Sequence, residues 1–284
     1  MARTGITTGG RWQGWPGLLA AASLASCAPA PSHGDADPAR PTLVSLNPCL
    51  DAIAVDLAGP DQVLALSHYS RDPGSSSIAP ATAARYGVTG GTAEEVIAAR
   101  PDLVLASIYL PQPTKAALER AGLRVATFGS PTTVAESLAQ VRAVAALVGR
   151  RSEGEALARR IAAPPLPRGG APIDTLLWQP GEIVAGENTL IAALLREEGF
   201  ASHAAARGLR QADAVRLETV LADPPRLLLV AGDAAGQRHP LLAGQMKATH
   251  IARFDPSLIY CGGPTIPRAR ARLREIRAEL ERKA

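Results

Sequence analysis

The sequence predicts an α/β fold of two lobes joined by a helix. Three observations carry this. Short apolar strands alternate with helical stretches from Thr42 onward. The middle of the chain is purely helical, and the alternation then restarts. A stretch of the first half also recurs, faintly, in the second.

In order, Leu43-Val44-Ser45-Leu46 reads as a strand, Asp51 to Ala58 as a helix and Val63 to Leu66 as a strand. Ala93 to Arg100 is helical, and Pro101-Asp102 leads into the strand Leu103 to Ala106. The helix Gln112 to Ala121 ends at Gly122, which fits the residue after a C-cap, before the strand Val125 to Thr127. Alternation of this kind implies parallel βαβ units with buried strands. Two capping boxes open the helical middle, Thr133-Val134-Ala135-Glu136 and Ser152-Glu153-Gly154-Glu155. Val134, Leu138, Val141, Ala145 and Val148 make an apolar stripe on the first of these helices, and Gly149 separates it from the second. The second stops at Pro164-Pro165. Beyond a Pro/Gly loop come the strand Thr175 to Trp178, the helix Leu190 to Glu198, and the strands Leu227 to Val230 and Leu258 to Tyr260. A basic helix, Arg268 to Arg282, closes the chain, and its arginines read as a solvated face. The recurrence aligns residues 94–105 with 218–229 without gaps, with Glu94 and Glu218 each seven residues before a shared proline.

Composition narrows the function. At 284 residues, 46% hydrophobic and 20% charged, the chain has room for two domains and a real core. No apolar run reaches the roughly 18–20 residues of a bilayer span. Three cysteines without a Cys-x-x-Cys pair argue against a disulfide scaffold and a zinc ribbon. The net charge of +4 is modest and partly sits in the last helix, so it does not point to nucleic acid.

The N-terminus has the layout of an export signal: Arg3 and Arg11, no acidic residue before Asp35, and a short apolar stretch from Gly17 to Cys27. Leu24-Ala25-Ser26-Cys27 resembles a lipobox, in which the signal is cut before Cys27 and that thiol carries lipid. The alternatives are plain secretion, with cleavage after Ala28-Pro29-Ala30, and a chain that is not exported. Removing the signal would leave Trp178 as the sole tryptophan. The Pro-, Ala- and polar-rich stretch that follows reads as a tether. The expected division is a lipoprotein signal peptide (1–26), a tether (27–41), an N-terminal lobe (42–150), an interlobe helix (151–163) and a C-terminal lobe (164–284).

Enzyme signatures are missing. There is no Gly-x-Ser-x-Gly, no phosphate-binding loop, no Gly-x-Gly-x-x-Gly after the first strand and no His-Glu-x-x-His. The five histidines show no metal-ligand spacing and read as surface or loop residues, His68 alone being suggestively placed. Aromatic residues say more, because Tyr69, Tyr109, Trp178 and Tyr260 fall at or just past predicted strand ends. In open parallel sheets the carboxyl ends of the strands line the ligand crevice, and aromatics there suit a bulky ligand. The alternative is ordinary core packing. Asn47, Tyr69, Arg71, Tyr109, Trp178, Gly186, Arg253 and Tyr260 are the expected ligand contacts, Arg71 and Arg253 either reaching carboxylate or phosphate groups or serving as plain surface charges. Cys49 and Cys261 each follow a predicted central strand, one per lobe. They form either a disulfide tying the lobes or two buried thiols.

Several segments together resemble one family: Val44 to Asp51, Ser67 to Asp72, Ala99 to Val104, Trp178-Gln179-Pro180-Gly181 with Ala185-Gly186, and Tyr260 to Pro264. The family is the helical-backbone substrate-binding proteins of ABC importers for iron-siderophore, haem and vitamin B12, and the resemblance runs from Thr42 to the end of the chain. It implies two Rossmann-like lobes, a single rigid interlobe helix, a ligand between the lobes and no catalysis. The implied ligand is a ferric siderophore or a corrinoid, with haem behind them because no Tyr-Pro pair of the kind some haem-binding relatives carry is present. It further implies a monomer that meets the membrane only through its lipid, needs no cofactor, and docks Glu94 and Glu218 onto arginines of an ABC permease dimer. Two other classes fit the same frame: an exported two-lobed enzyme or redox protein, and a structural lipoprotein that binds nothing small.

Overall fold

The computed structural model describes residues 39–163 and 170–282. The expected signal peptide, the lipidation site Cys27 and nearly all of the tether lie outside the described residues.

The first five strands and their crossovers run β1 (Leu43–Ser45), α1 (Pro48–Leu57), β2 (Val63–Ser67), α2 (Pro80–Ala83), β3 (Gly87–Thr89), α3 (Ala93–Ala99), β4 (Leu103–Ser107), α4 (Gln112–Arg120) and β5 (Arg124–Phe128). All pair in parallel, in the order β3-β2-β1-β4-β5. Helix α1 begins three residues before its expected start. Asn47 caps it, its Oδ1 accepting from the Cys49 and Leu50 amides at 3.0 and 3.2 Å, and Pro48 at the first position loses no hydrogen bond there.

Helices α5 (Val134–Leu147) and α6 (Arg151–Ile161) follow, and Gly149 makes their turn at φ +70°. Thr133 caps α5, accepting from the Glu136 amide at 3.1 Å. The second capping box does not form, since α6 starts at Arg151 and the Ser152 hydroxyl donates to Glu153 instead. Arg142 pairs with Glu155, and Gly154 lies against Ala145, where a side chain would not fit, so the helices pack antiparallel and close. α5 also touches α1 and, beyond the first sheet, α7 (Leu190–Glu197).

The second sheet comprises β6 (Ile173–Trp178), β7 (Ile183–Ala185), β8 (Phe200–Ser202), β9 (Ala212–Ala214), β10 (Leu227–Ala231) and β11 (His250–Phe254). Its order is β11-β10-β6-β7-β9, with β8 also on β6 and only β7 antiparallel to its neighbours. Helices α8 (His203–Ala206), α9 (Leu217–Ala222), α10 (Pro240–Gln245) and α11 (Thr265–Glu281) complete the lobe. The expected strand at Leu258 to Tyr260 is absent. Pro256 and the Asp255 carboxylate, which accepts from the Ser257 amide at 2.8 Å, set a short 3₁₀ turn, and Leu258 and Ile259 bury themselves from it.

One cluster of buried apolar side chains runs from Leu43 and Ile53 through Val141, Leu157 and Ile161 to Leu177, Leu229 and Leu273. Both sheets thus share a core through α5 and α6. Alternate residues of β6 and β10 face the other way, where Leu176, Trp178, Leu228 and Val230 pack with Val184 and Val215.

Not all the arginines of α11 form a solvated face: Arg268 is exposed, but Arg270 and Arg277 are buried. Arg270 is only 5% exposed; its guanidinium donates to the Ile161 and Ala163 carbonyls and pairs with Glu197. Arg274 pairs with buried Glu198 at 2.9 Å, and buried Arg277 donates to the Gly199 carbonyl at 2.6 Å. These charge-assisted bonds tie the ends of α6 and α7 to the last helix.

Candidate functional site

The carboxyl end of the first sheet is joined covalently to the segment that follows the second. Cys49, at the start of α1 just past β1, is bonded to Cys261, seven residues beyond the end of β11, with Cα atoms 5.0 Å apart and a sequence separation of 212. In a chain-entropy description, a bridge of that span removes roughly 5 kcal/mol of unfolded-state freedom. Beside it, the Gly263 amide donates to Ser137 Oγ at 2.7 Å, linking the entry to α11 with α5.

Three tyrosines stand out around this join. Tyr109, after β4, is 79% exposed; Tyr260, next to the disulfide, is 54% exposed; and Tyr69, after β2, is 45% exposed. The Tyr69 ring lies against that of exposed His68, with centroids 4.0 Å apart. Ile108, beside Tyr109 and also exposed, adds apolar surface that the sequence reading did not single out. Partial burial pushes the Tyr260 phenol above the ordinary tyrosine range, so at neutral pH it presents a hydrogen-bond donor rather than a phenolate.

The other expected contacts divide. Arg253 stays at the carboxyl edge, donating to the Gly232 carbonyl at 2.7 Å and lining a cavity of about 520 Å³ with Phe254, Asp255 and Arg272. Arg71 is exposed, but its guanidinium donates to the Tyr86 carbonyl at 2.7 Å and holds the connection into β3. The Asn47 amide oxygen is occupied as the α1 cap.

Two expectations are overturned. Trp178 is 1% exposed, packs with Val184 and Val215, and donates its indole N–H to the Val215 carbonyl at 3.0 Å. Its position at the strand end is right, but its side chain takes the face of β6 that packs inward. Gly186 is buried in a turn where its amide donates to the Gln211 carbonyl at 2.8 Å, and the backbone of Arg210 and Gln211 fills the space a side chain would need. It is a close-approach glycine, not a ligand contact.

A buried carboxyl next to the join was not foreseen. Asp51, in α1, is fully buried and accepts from the Ser67 hydroxyl at 2.5 Å and the Ser67 amide at 3.3 Å. Burial raises it to about 7, hydrogen bonds from Ser45 and Ser67 offsetting only part of that cost. The reading of every histidine as a surface residue also fails at His203. This side chain is buried, with Nδ1 3.0 Å from Asp174 Oδ2 and Nε2 3.2 Å from the Asp223 carbonyl.

Glu94 and Glu218 occupy the same place in the two lobes, the second position of α3 and of α9, each helix leading into a central strand. Both are exposed. Neighbouring Glu95 differs, because Thr89 Oγ1 and the Gly90 amide donate to its carboxylate at 2.7 and 2.6 Å and hold it below the ordinary range. Among the described residues no group of three metal-capable side chains gathers, and no helix is long and apolar enough to cross a membrane.

Two α/β lobes, one on a parallel and one on a mixed sheet, share a helical brace and, with exposed aromatics at the carboxyl edge of the first, define a two-lobed binding protein. The profile of the family described as periplasmic binding protein matches residues 43–253, and the chain belongs to that family. Among solved structures it is similar to the periplasmic haem-binding protein HutB of Vibrio cholerae, at 16% identity and a TM-score of 0.66 over 83% of this chain and 98% of that one. The haem-binding protein RhuT from Roseiflexus sp. RS-1, in apo form, matches at 22% identity and 0.65, over 84% and 96%. The vitamin B12-binding protein BtuF of Vibrio cholerae matches at 17% and 0.63, over 82% and 95%. A comparison with curated proteins finds no match.

Proposed function

We propose that this protein captures a metal-chelate nutrient in the periplasm and delivers it to an ABC importer without catalysing a reaction. The observation that supports this is the set of exposed tyrosines at the carboxyl edge of the first sheet, Tyr69 and Tyr109 past β2 and β4 and Tyr260 beside the disulfide at the start of α1. Large aromatic faces with polar tips suit a bulky, flat, partly polar ligand. Haem, a corrinoid and a ferric siderophore share that description, and solved relatives whose names specify haem or vitamin B12 support it. Arg253, at the carboxyl end of β11 in the second lobe and 3.9 Å from Asp233, supplies a cation for ligand carboxylates.

In this reading Cys27 carries the lipid, residues 27–41 tether the lobes to the membrane, and the protein works as a monomer. Glu94 and Glu218, matched in position and exposed, engage the two subunits of the permease. The shared core through α5 and α6 permits only small changes in lobe spacing. A titration screen tests the ligand class: the protein is mixed with haemin, cyanocobalamin and a panel of ferric siderophores, and binding is followed by absorption and calorimetry. Saturable one-to-one binding of one of these is expected. A protein that ignores all of them does not have this function.

A further inference from the structure

We propose that Cys49 and Cys261 are positioning residues for Tyr260, assigning that tyrosine to the first lobe although it follows the last strand of the second. The inference rests on the ligand reading above and says which wall of the site Tyr260 belongs to.

By chain order Tyr260 should move with the second sheet, since β11 ends six residues earlier, at Phe254. Its surroundings belong to the other lobe. The Sγ of Cys49 lies 3.7 Å from the Tyr260 carbonyl oxygen, and the next residue is bonded to Cys49 itself. The Gly263 amide is held by Ser137 of α5. A Cβ on Gly262 would come 2.5 Å from Ser137 Oγ, and one on Gly263 would come 2.9 Å from Ile53 Cγ1 of α1. Residues 260–263 are thus seated against α1 of the first lobe and α5 of the brace, with no room at Gly262 or Gly263 even for a methyl group. Gly263 has φ +59°, in the left-handed region, which lets the chain turn from this seat into α11.

The consequence concerns the shape of the site. Tyr69 and Tyr109 follow β2 and β4 of the first sheet. With Tyr260 pinned to α1, all three tyrosines ride on one body, and a change in lobe spacing moves the second-lobe edge, with Arg253, against a fixed aromatic wall. Without the bond, the segment carrying Tyr260 would be held by the Gly263 amide on Ser137, three residues further on, and by packing.

The test has two parts. Hydrogen–deuterium exchange of the segment 256–264 is compared in the oxidised protein and in Cys49→Ser/Cys261→Ser. Reduction of the wild-type bond by dithiothreitol gives the same comparison without substitution. Exchange at 260–263 should quicken by about tenfold or more while β1 and β10 stay protected; equal exchange in both states overturns the proposal, whatever the ligand proves to be. Next, Tyr260→Ala is titrated in both backgrounds with whichever of haemin, cyanocobalamin and the ferric siderophores binds the wild type. It should weaken binding roughly tenfold with the bond present and no more than about twofold without it, since a coupled pair is not additive. An equal loss in both backgrounds contradicts the positioning role. If none of haemin, cyanocobalamin and the ferric siderophores binds, or the one that binds ignores Tyr69→Ala and Tyr109→Ala as well, the ligand reading fails, and the exchange result still decides where Tyr260 belongs.

Discussion

Asp51→Asn should change how stability depends on pH, because the wild-type carboxyl is buried without an opposing charge. Its ordinary value is 3.8 and its folded value is about 7. The unfolded chain therefore ionises first as pH rises, and the folded form must either keep the proton or bury a carboxylate. A group raised in this way stabilises the fold fully below about pH 4, and that contribution is lost as pH climbs to about 7. At about 1.4 kcal/mol for each pH unit, the gap between 3.8 and about 7 sets a ceiling of roughly 4 kcal/mol. Asparagine keeps an oxygen for the Ser67 hydroxyl, 2.5 Å away in the wild type, but never ionises. Urea unfolding at half-unit steps from pH 4 to 8 measures the difference, with Trp178 fluorescence as a buried probe in a chain beginning at Ala28. Wild-type stability should fall relative to the variant by up to about 4 kcal/mol across that window and run parallel above it. Parallel curves throughout would show that the carboxyl ionises as it does in water, and that the burial argument is wrong.

Trp178→Ala should destabilise the protein by about 3–5 kcal/mol, a core aromatic's loss, and shift ligand affinity by less than about twofold; a large affinity change at unchanged stability would return the ring to the binding site. Glu94→Lys with Glu218→Lys should leave ligand titration of the isolated protein unchanged and abolish ligand-stimulated ATPase in a reconstituted importer, as expected of rim charges that orient a partner. Normal stimulation by the double variant would remove both residues from docking.

The architecture was legible where pattern and burial coincide. Leu103–Ser107 and Leu227–Ala231 are continuous apolar runs because both faces of their sheets are covered, and each was found nearly to the residue. Three-residue strands such as Gly87–Thr89 and the exposed Ala212–Ala214 carry no periodicity to read. Leu258 to Tyr260 looked like a strand because three apolar residues in a row cannot distinguish a strand from a buried turn. At the site, strand-end position was readable and facing direction was not. Tyr109 and Trp178 satisfy the same sequence criterion, yet among the described residues one is the most exposed large hydrophobic side chain and the other is core. The arginines of α11 misled for a related reason. Arg270 is buried against carbonyls at the end of α6, more than 100 residues away in the chain, which no local window reveals.

The most direct test of the account is a titration of the wild-type protein and of Tyr69→Ala/Tyr109→Ala/Tyr260→Ala with the metal chelate that binds best in the screen. Calorimetry reads affinity, and circular dichroism confirms that the variant is folded, as expected for three exposed side chains. The account predicts one-to-one binding by the wild type and a loss of at least about a hundredfold in the variant, the size expected when the central aromatic contacts are removed. A folded variant that binds the chelate as tightly as the wild type would contradict it, placing the ligand somewhere other than the carboxyl edge of the first sheet.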